Sequence, residues 1–141
     1  MDANQKISTL EMKLKLLALW ALVLFTIYFF DFHHVVTPGT IEEIQSGVVN
    51  GYELTEIMLF IAALVHIIPV LMVYLPLVLT PHVSKWVNII AAALYIFFNV
   101  TDGPTDLDHI LFRTVIVIAL IKVIWYAWKL PQEHKALAKG N

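Results

Sequence analysis

Residues 57–79 read IMLFIAALVHIIPVLMVYLPLVL, an unbroken run without a Lys, Arg, Asp or Glu. About 20 apolar residues suffice for a helix to cross ~30 Å of hydrocarbon. Inside lipid only helices and closed barrels satisfy their own backbones, and this run is too long for a single strand. The stretch therefore predicts a membrane-spanning helix, placed at about 54–79 once its flanks are included. Three further apolar segments follow the same logic, at about 14–31, 86–101 and 107–128. The expected fold class is all-α: an integral membrane four-helix bundle forming a single domain over residues 1–141. The third segment is short, covering about 24 Å at ~1.5 Å per residue, which places Trp86 at headgroup level.

Composition agrees. The chain is 60% hydrophobic, has a mean hydropathy of +0.79 and is only 14% charged, against about 25% in soluble domains. The lipid bilayer is thus its first partner. A net charge of −2, with lysines at the chain ends rather than along a groove, argues against nucleic-acid binding. Cysteine is absent, so disulfides, thiol redox chemistry, iron–sulfur ligation and c-type haem attachment are excluded. The first apolar run follows Lys6, Lys13 and Lys15 as a signal peptide would, but it ends in Tyr28-Phe29-Phe30-Asp31 without a small-residue cleavage site. It reads as a retained span.

Seven of the nine basic residues precede the first span, lie between the second and third, or follow the fourth. The intervening stretches 32–54 and 102–108 contain neither Lys nor Arg. By the positive-inside rule both termini are expected in the cytoplasm. In the first outer loop, Thr40 and Glu43 form a capping-box pattern, and Ile41, Ile44 and Val48 fall at helical spacing. They predict a short amphipathic helix on the outer surface. The link at Thr80-Pro81-His82 is short, so the second and third spans are expected to form an antiparallel pair.

Polar groups inside the spans are the functional candidates, since an ionisable residue near the bilayer centre costs at least about 2.5–3.5 kcal/mol. Asn88, Ala92, Tyr95, Asn99 and Asp102 share one face of the third span, and Asp106, His109 and Arg113 one face of the fourth. Trp20, Leu24, Tyr28 and Asp31 form a stripe on the first. The second carries Glu56 at its outer end and His66 near its middle. All these faces are expected to point inward. Asp31, Glu56, Asn99, Asp102, His109 and Arg113 then ring an outer mouth, with Tyr95 and His66 deeper, as ligand-binding or proton-relay candidates. Arg113 stays protonated and needs an anion, with Asp31 and Asp102 at matching depth. That is either a pair fixing helix register or an anchor for an anionic substrate. Lys122 is explained by snorkelling.

His66 is expected to hydrogen-bond Tyr95 or Asn99, or to relay a proton, and Pro69 frees the carbonyl of Val65. His33 and His34, with His109, Asp31 and Asp102, are weak candidates for a divalent-metal site, though interfacial histidines without metal are the simpler reading. No cofactor and no catalytic set is legible.

The ordered residues resemble a family of small four-span bacterial membrane proteins of unknown function, loosely grouped with DoxX-like proteins. The features that carry the likeness are Asp31 with Pro38-Gly39, Ile68-Pro69, Lys85-Trp86-Val87-Asn88, and Trp125-Tyr126-Ala127-Trp128. The resemblance implies a bacterial inner-membrane location and a four-helix bundle, some DoxX-like relatives being linked to redox complexes.

The leading expectation is a ligand-binding or accessory subunit with an outward-facing polar pocket, working with membrane partner subunits or as a homo-oligomer. A small oligomeric transporter or channel with a proton-linked path is the first alternative. A membrane enzyme acting on a lipid or quinone is the second, disfavoured because no nucleophile accompanies the acids and histidines.

Overall fold

The computed structural model describes residues 3–49, 51–101 and 107–130. Its elements are α1 (Ala3–Val36), α2 (Thr40–Ser46), β1 (Val48–Val49), β2 (Tyr52–Glu53), α3 (Glu56–Val78), α4 (Pro81–Thr101) and α5 (Leu107–Trp128). Four of these helices, α1, α3, α4 and α5, are long and apolar enough to cross a membrane. The chain is thus all-α apart from a two-residue-per-strand hairpin.

The helices bury one stripe each and leave the rest of their apolar surface outward, as expected of a bundle solvated by lipid. In α1 the stripe is Leu16, Trp20, Val23 and Ile27, and in α5 it is Ile116, Leu120, Val123 and Ala127, both at 3.6-residue periodicity. α4 contributes Ser84, Asn88, Ala91, Ala92 and Tyr95. Only Pro69, Met72 and Pro76 are buried in α3. Ala91, Ala92, Ala119 and Ala127 let the backbones approach closely where the helices cross.

The arrangement differs from the expected hairpin pairs. α1 is central and packs against both α3 and α5, α5 packs against α4, and α3 touches α4 only slightly despite the short link between them. The reason lies in what α4 buries. Its small and polar face closes on Trp20 of α1, whose indole N–H donates to Asn88 Oδ1 at 2.7 Å. That contact draws α4 toward the α1–α5 seam and leaves the α3–α4 side open. The expected inward stripe of α1 is also corrected in part, because Tyr28 is exposed.

Helix ends explain the remaining boundaries. Thr55 caps α3, its hydroxyl accepting from Met58 N–H at 3.2 Å. At the other end Lys13 donates to the carbonyls of Leu77 and Leu79 at 3.1 and 2.7 Å, satisfying acceptors the helix leaves over. α4 begins five residues before its expected start, with Pro81 in the first turn where its missing N–H costs nothing. At 21 residues it spans about 31 Å and is not the short helix expected.

The short helix expected between the first two spans forms, but not by the expected capping box. Gly39, at φ 95°, is the N-cap and no side chain caps the helix, because Thr40 N–H is already turned onto Thr37 O at 3.2 Å. Gly47, at φ 77°, ends α2. Val48, expected on the helix face, instead pairs with Glu53 across the β1–β2 hairpin, and Val49 pairs with Tyr52.

One end of the bundle is basic and aromatic. Lys85 Nζ lies 3.9 Å from the Trp128 ring centroid and Lys129 Nζ 4.0 Å from that of Trp125, pinning cation and indole at one level as in interfacial belts. The opposite end carries Asp31, His33, His34 and His109.

Candidate functional site

Polar side chains inside the helices fall into two groups. The first sits mid-bundle: Trp20 and Asn88 are both 0% exposed. Asn88 receives the indole N–H and passes its own amide protons to Ser84 O and Oγ at 2.7 and 3.3 Å. Donors and acceptors are matched in a dry site, which is how a structural polar cluster looks.

The second group lies toward the histidine end, and its centre is a contact between α1 and α3. His66 Nε2 and Asp31 Oδ2 are 3.1 Å apart. His66 Nδ1 lies 2.7 Å from the carbonyl of Ala62. A carbonyl only accepts, so Nδ1 carries the hydrogen. That leaves Nε2 as the ring nitrogen facing the carboxyl group. The two side chains remain 41% and 46% exposed. Chemically the pair can exchange one proton or present an imidazole and a carboxyl group to a ligand.

Tyr95 stands beside this pair on α4, its hydroxyl donating to Val65 O at 2.5 Å. Pro69 explains the geometry: lacking an N–H, it leaves the carbonyl four residues earlier without its helical donor, and that carbonyl is Val65. Next on the same face, Asn99 donates to Tyr95 O at 2.8 Å.

Asp31, one of the two partners expected for Arg113, is engaged by His66, and the other, Asp102, lies outside the described residues, as does Asp106. Arg113 lines, with Asn99 and Thr114, a recess of about 300 Å³ between α4 and α5. His66 in turn does not bond Tyr95 or Asn99 as expected, because Asp31 reaches it first.

Beyond this layer α1 and α5 meet through rings and an imidazole–carboxyl contact. His33 Nδ1 lies 3.1 Å from Asp108 Oδ2, His109 packs edge-on to Phe30 at 4.8 Å, and the His34 and His109 rings are 5.8 Å apart. A recess of about 520 Å³ opens among them. Asp108 was not anticipated; its i,i+1 neighbourhood with His109 gave no periodic signal. Among the described residues no three histidine or acidic side chains converge to hold a metal. Of the weak metal candidates His33, His34 and His109, His33 turns to Asp108, while Asp31 turns to His66 of α3. Glu56 is exposed in the first turn of α3, ten residues or about 15 Å from His66 along the axis, and does not join the layer.

The chain belongs to a family of unknown function, DUF6326, whose model matches residues 6–136. The match by itself shows no likeness to DoxX-like proteins. No curated protein and no solved structure matches significantly.

Proposed function

We propose that this chain is a multi-pass protein of the bacterial inner membrane, with its lysine-rich end in the cytoplasm. In this reading it holds a small ligand, or steadies a partner subunit, at the polar layer around Asp31 and His66. The observation that carries the reading is the half-exposure of that pair. A pair that only fixed helix register would be closed and dry, as Trp20 and Asn88 are. Left facing hydrocarbon, an ionisable group costs at least about 2.5–3.5 kcal/mol, so water, a ligand or a partner must meet it. The sparse α3–α4 contact supports access from that side, and residues 56–64 of α3, exposed on all faces, leave room for a partner helix.

A proton-linked transport path is less well supported. Below His66 the polar groups Trp20, Asn88 and Ser84 are fully buried and bonded to one another, so the polar track closes there.

Native mass spectrometry of the detergent-purified protein tests the reading. The expected result is a bound species or co-purifying subunit that Asp31→Asn or His66→Gln removes. A bare chain, or a bound species indifferent to both substitutions, overturns it. A membrane-impermeant label on a cysteine introduced at Gln45 checks the orientation, and protection of that site from the outside would reverse it.

A further inference from the structure

We propose that the recess between α4 and α5 binds an anionic bilayer lipid, Arg113 taking the headgroup phosphate and Val117 and Ile118 flanking an acyl chain. The site is separate from the Asp31–His66 pair, and the two can fail independently.

Along the helix axis the recess has a polar level, Asn99, Arg113 and Thr114, with Val100 and Ile110 beside it toward the helix ends and an apolar level deeper in. Arg113 is six residues into α5, about 9 Å from the end of the helix. Side chains on a helix lean toward its N-terminus, for α5 the end nearer this interface, and the guanidinium is partly enclosed, its Nη1 being buried. Asn99, facing it from α4, uses one amide N–H on Tyr95 O and keeps the second N–H and its carbonyl oxygen. Thr114 closes the polar level, its hydroxyl donating to Ile110 O at 2.7 Å. Deeper along α5 the lining turns wholly apolar at Val117 and Ile118. A charged level near the interface above an apolar level nearer the bilayer centre is the polarity of a lipid, headgroup above chain.

The charge is specific to this place. Among the described residues, Arg113 is the only Lys or Arg on the Asp31 side of the bundle's middle; the others belong to the lysine-rich end or, like Lys122, lie nearer to it. Arginine remains protonated in lipid, and its planar fork matches two phosphate oxygens at once. The recess also opens sideways: Ile110 and Ile118 at its rim are half-exposed. A ligand entering it comes from the bilayer plane.

The experiment uses delipidated protein in detergent, dosed in turn with phosphatidylglycerol, with phosphatidylcholine of the same chains, and with oleate, and read by native mass spectrometry. Because the lysine-rich end also attracts anionic lipid, the readout is the change on substitution. Wild type is expected to retain one tightly held phosphatidylglycerol that Arg113→Gln weakens about tenfold and that Val117→Trp, which fills the recess without changing charge, removes. Asp31→Asn is expected to leave it in place. Retention unaffected by Val117→Trp overturns the proposal even where Arg113→Gln fails to fold. So does loss with Asp31→Asn but not with Val117→Trp. Preference for oleate over phosphatidylglycerol overturns the bilayer-lipid assignment.

Discussion

Trp20–Asn88 and Asp31–His66 are both polar pairs joining helices that are otherwise apolar, and they differ in every physical respect that matters. The first is neutral, fully enclosed, and has each donor matched to an acceptor. The second joins two ionisable groups, is about half-exposed, and sits where α3 has little contact with α4. Burying an amide against an indole is a way to choose one packing among several lipid-compatible ones. Leaving an imidazole and a carboxyl group open inside a span has no such explanation. In the proposed reading, the contrast separates what holds the bundle from what the bundle offers to a ligand or partner.

The comparison can be broken most decisively at Asn88. Asn88→Leu strands the indole N–H of Trp20 in a dry site, and a loss of about 2 kcal/mol is expected, read as a lower Tm in detergent. An unchanged Tm would remove Asn88 from the structural class. Tyr95→Phe comes next: the Val65 carbonyl loses its donor, for about 1 kcal/mol, and α3 loses a tie to α4. If stability is untouched but ligand retention falls, Tyr95 belongs with the open pair. The smallest expected change is at Asp31. Asp31→Asn keeps a hydrogen-bonding partner for His66 and should cost less than about 0.5 kcal/mol, because the pair is exposed. A loss as large as that of Asn88→Leu would collapse the distinction.

The spans were legible because long apolar runs have few other uses, and the first, second and fourth needed only their ends adjusted. α4 began early because His82, Ser84 and Lys85 look like a loop, although Pro81 is a standard residue for a first turn. The β1–β2 hairpin had a signal that the helical spacing of Ile41, Ile44 and Val48 obscured: Asn50-Gly51 between Val48-Val49 and Tyr52, a strong hairpin dipeptide. Among candidate residues, one-face periodicity correctly brought Asn88, Ala92, Tyr95 and Asn99 together on α4. It could not say that His66 would meet Asp31. That depends on α1 continuing to Val36, which sets Asp31 more than a turn inside its own helix, and on α3 packing against α1 rather than α4. Tertiary neighbours of this kind leave no trace in the spacing within a single helix.

The proline in α3 is usually counted as a defect in a helix. Here the broken backbone bond and the Tyr95 tie are two descriptions of one event, since the Val65 carbonyl that the ring releases is the acceptor the phenol takes. Restoring the helix with Pro69→Ala would return that oxygen to its own strand of hydrogen bonds and set the phenol and the amide in competition for it. The energies of Pro69→Ala and Tyr95→Phe are therefore coupled: the second substitution should cost less once the first is in place.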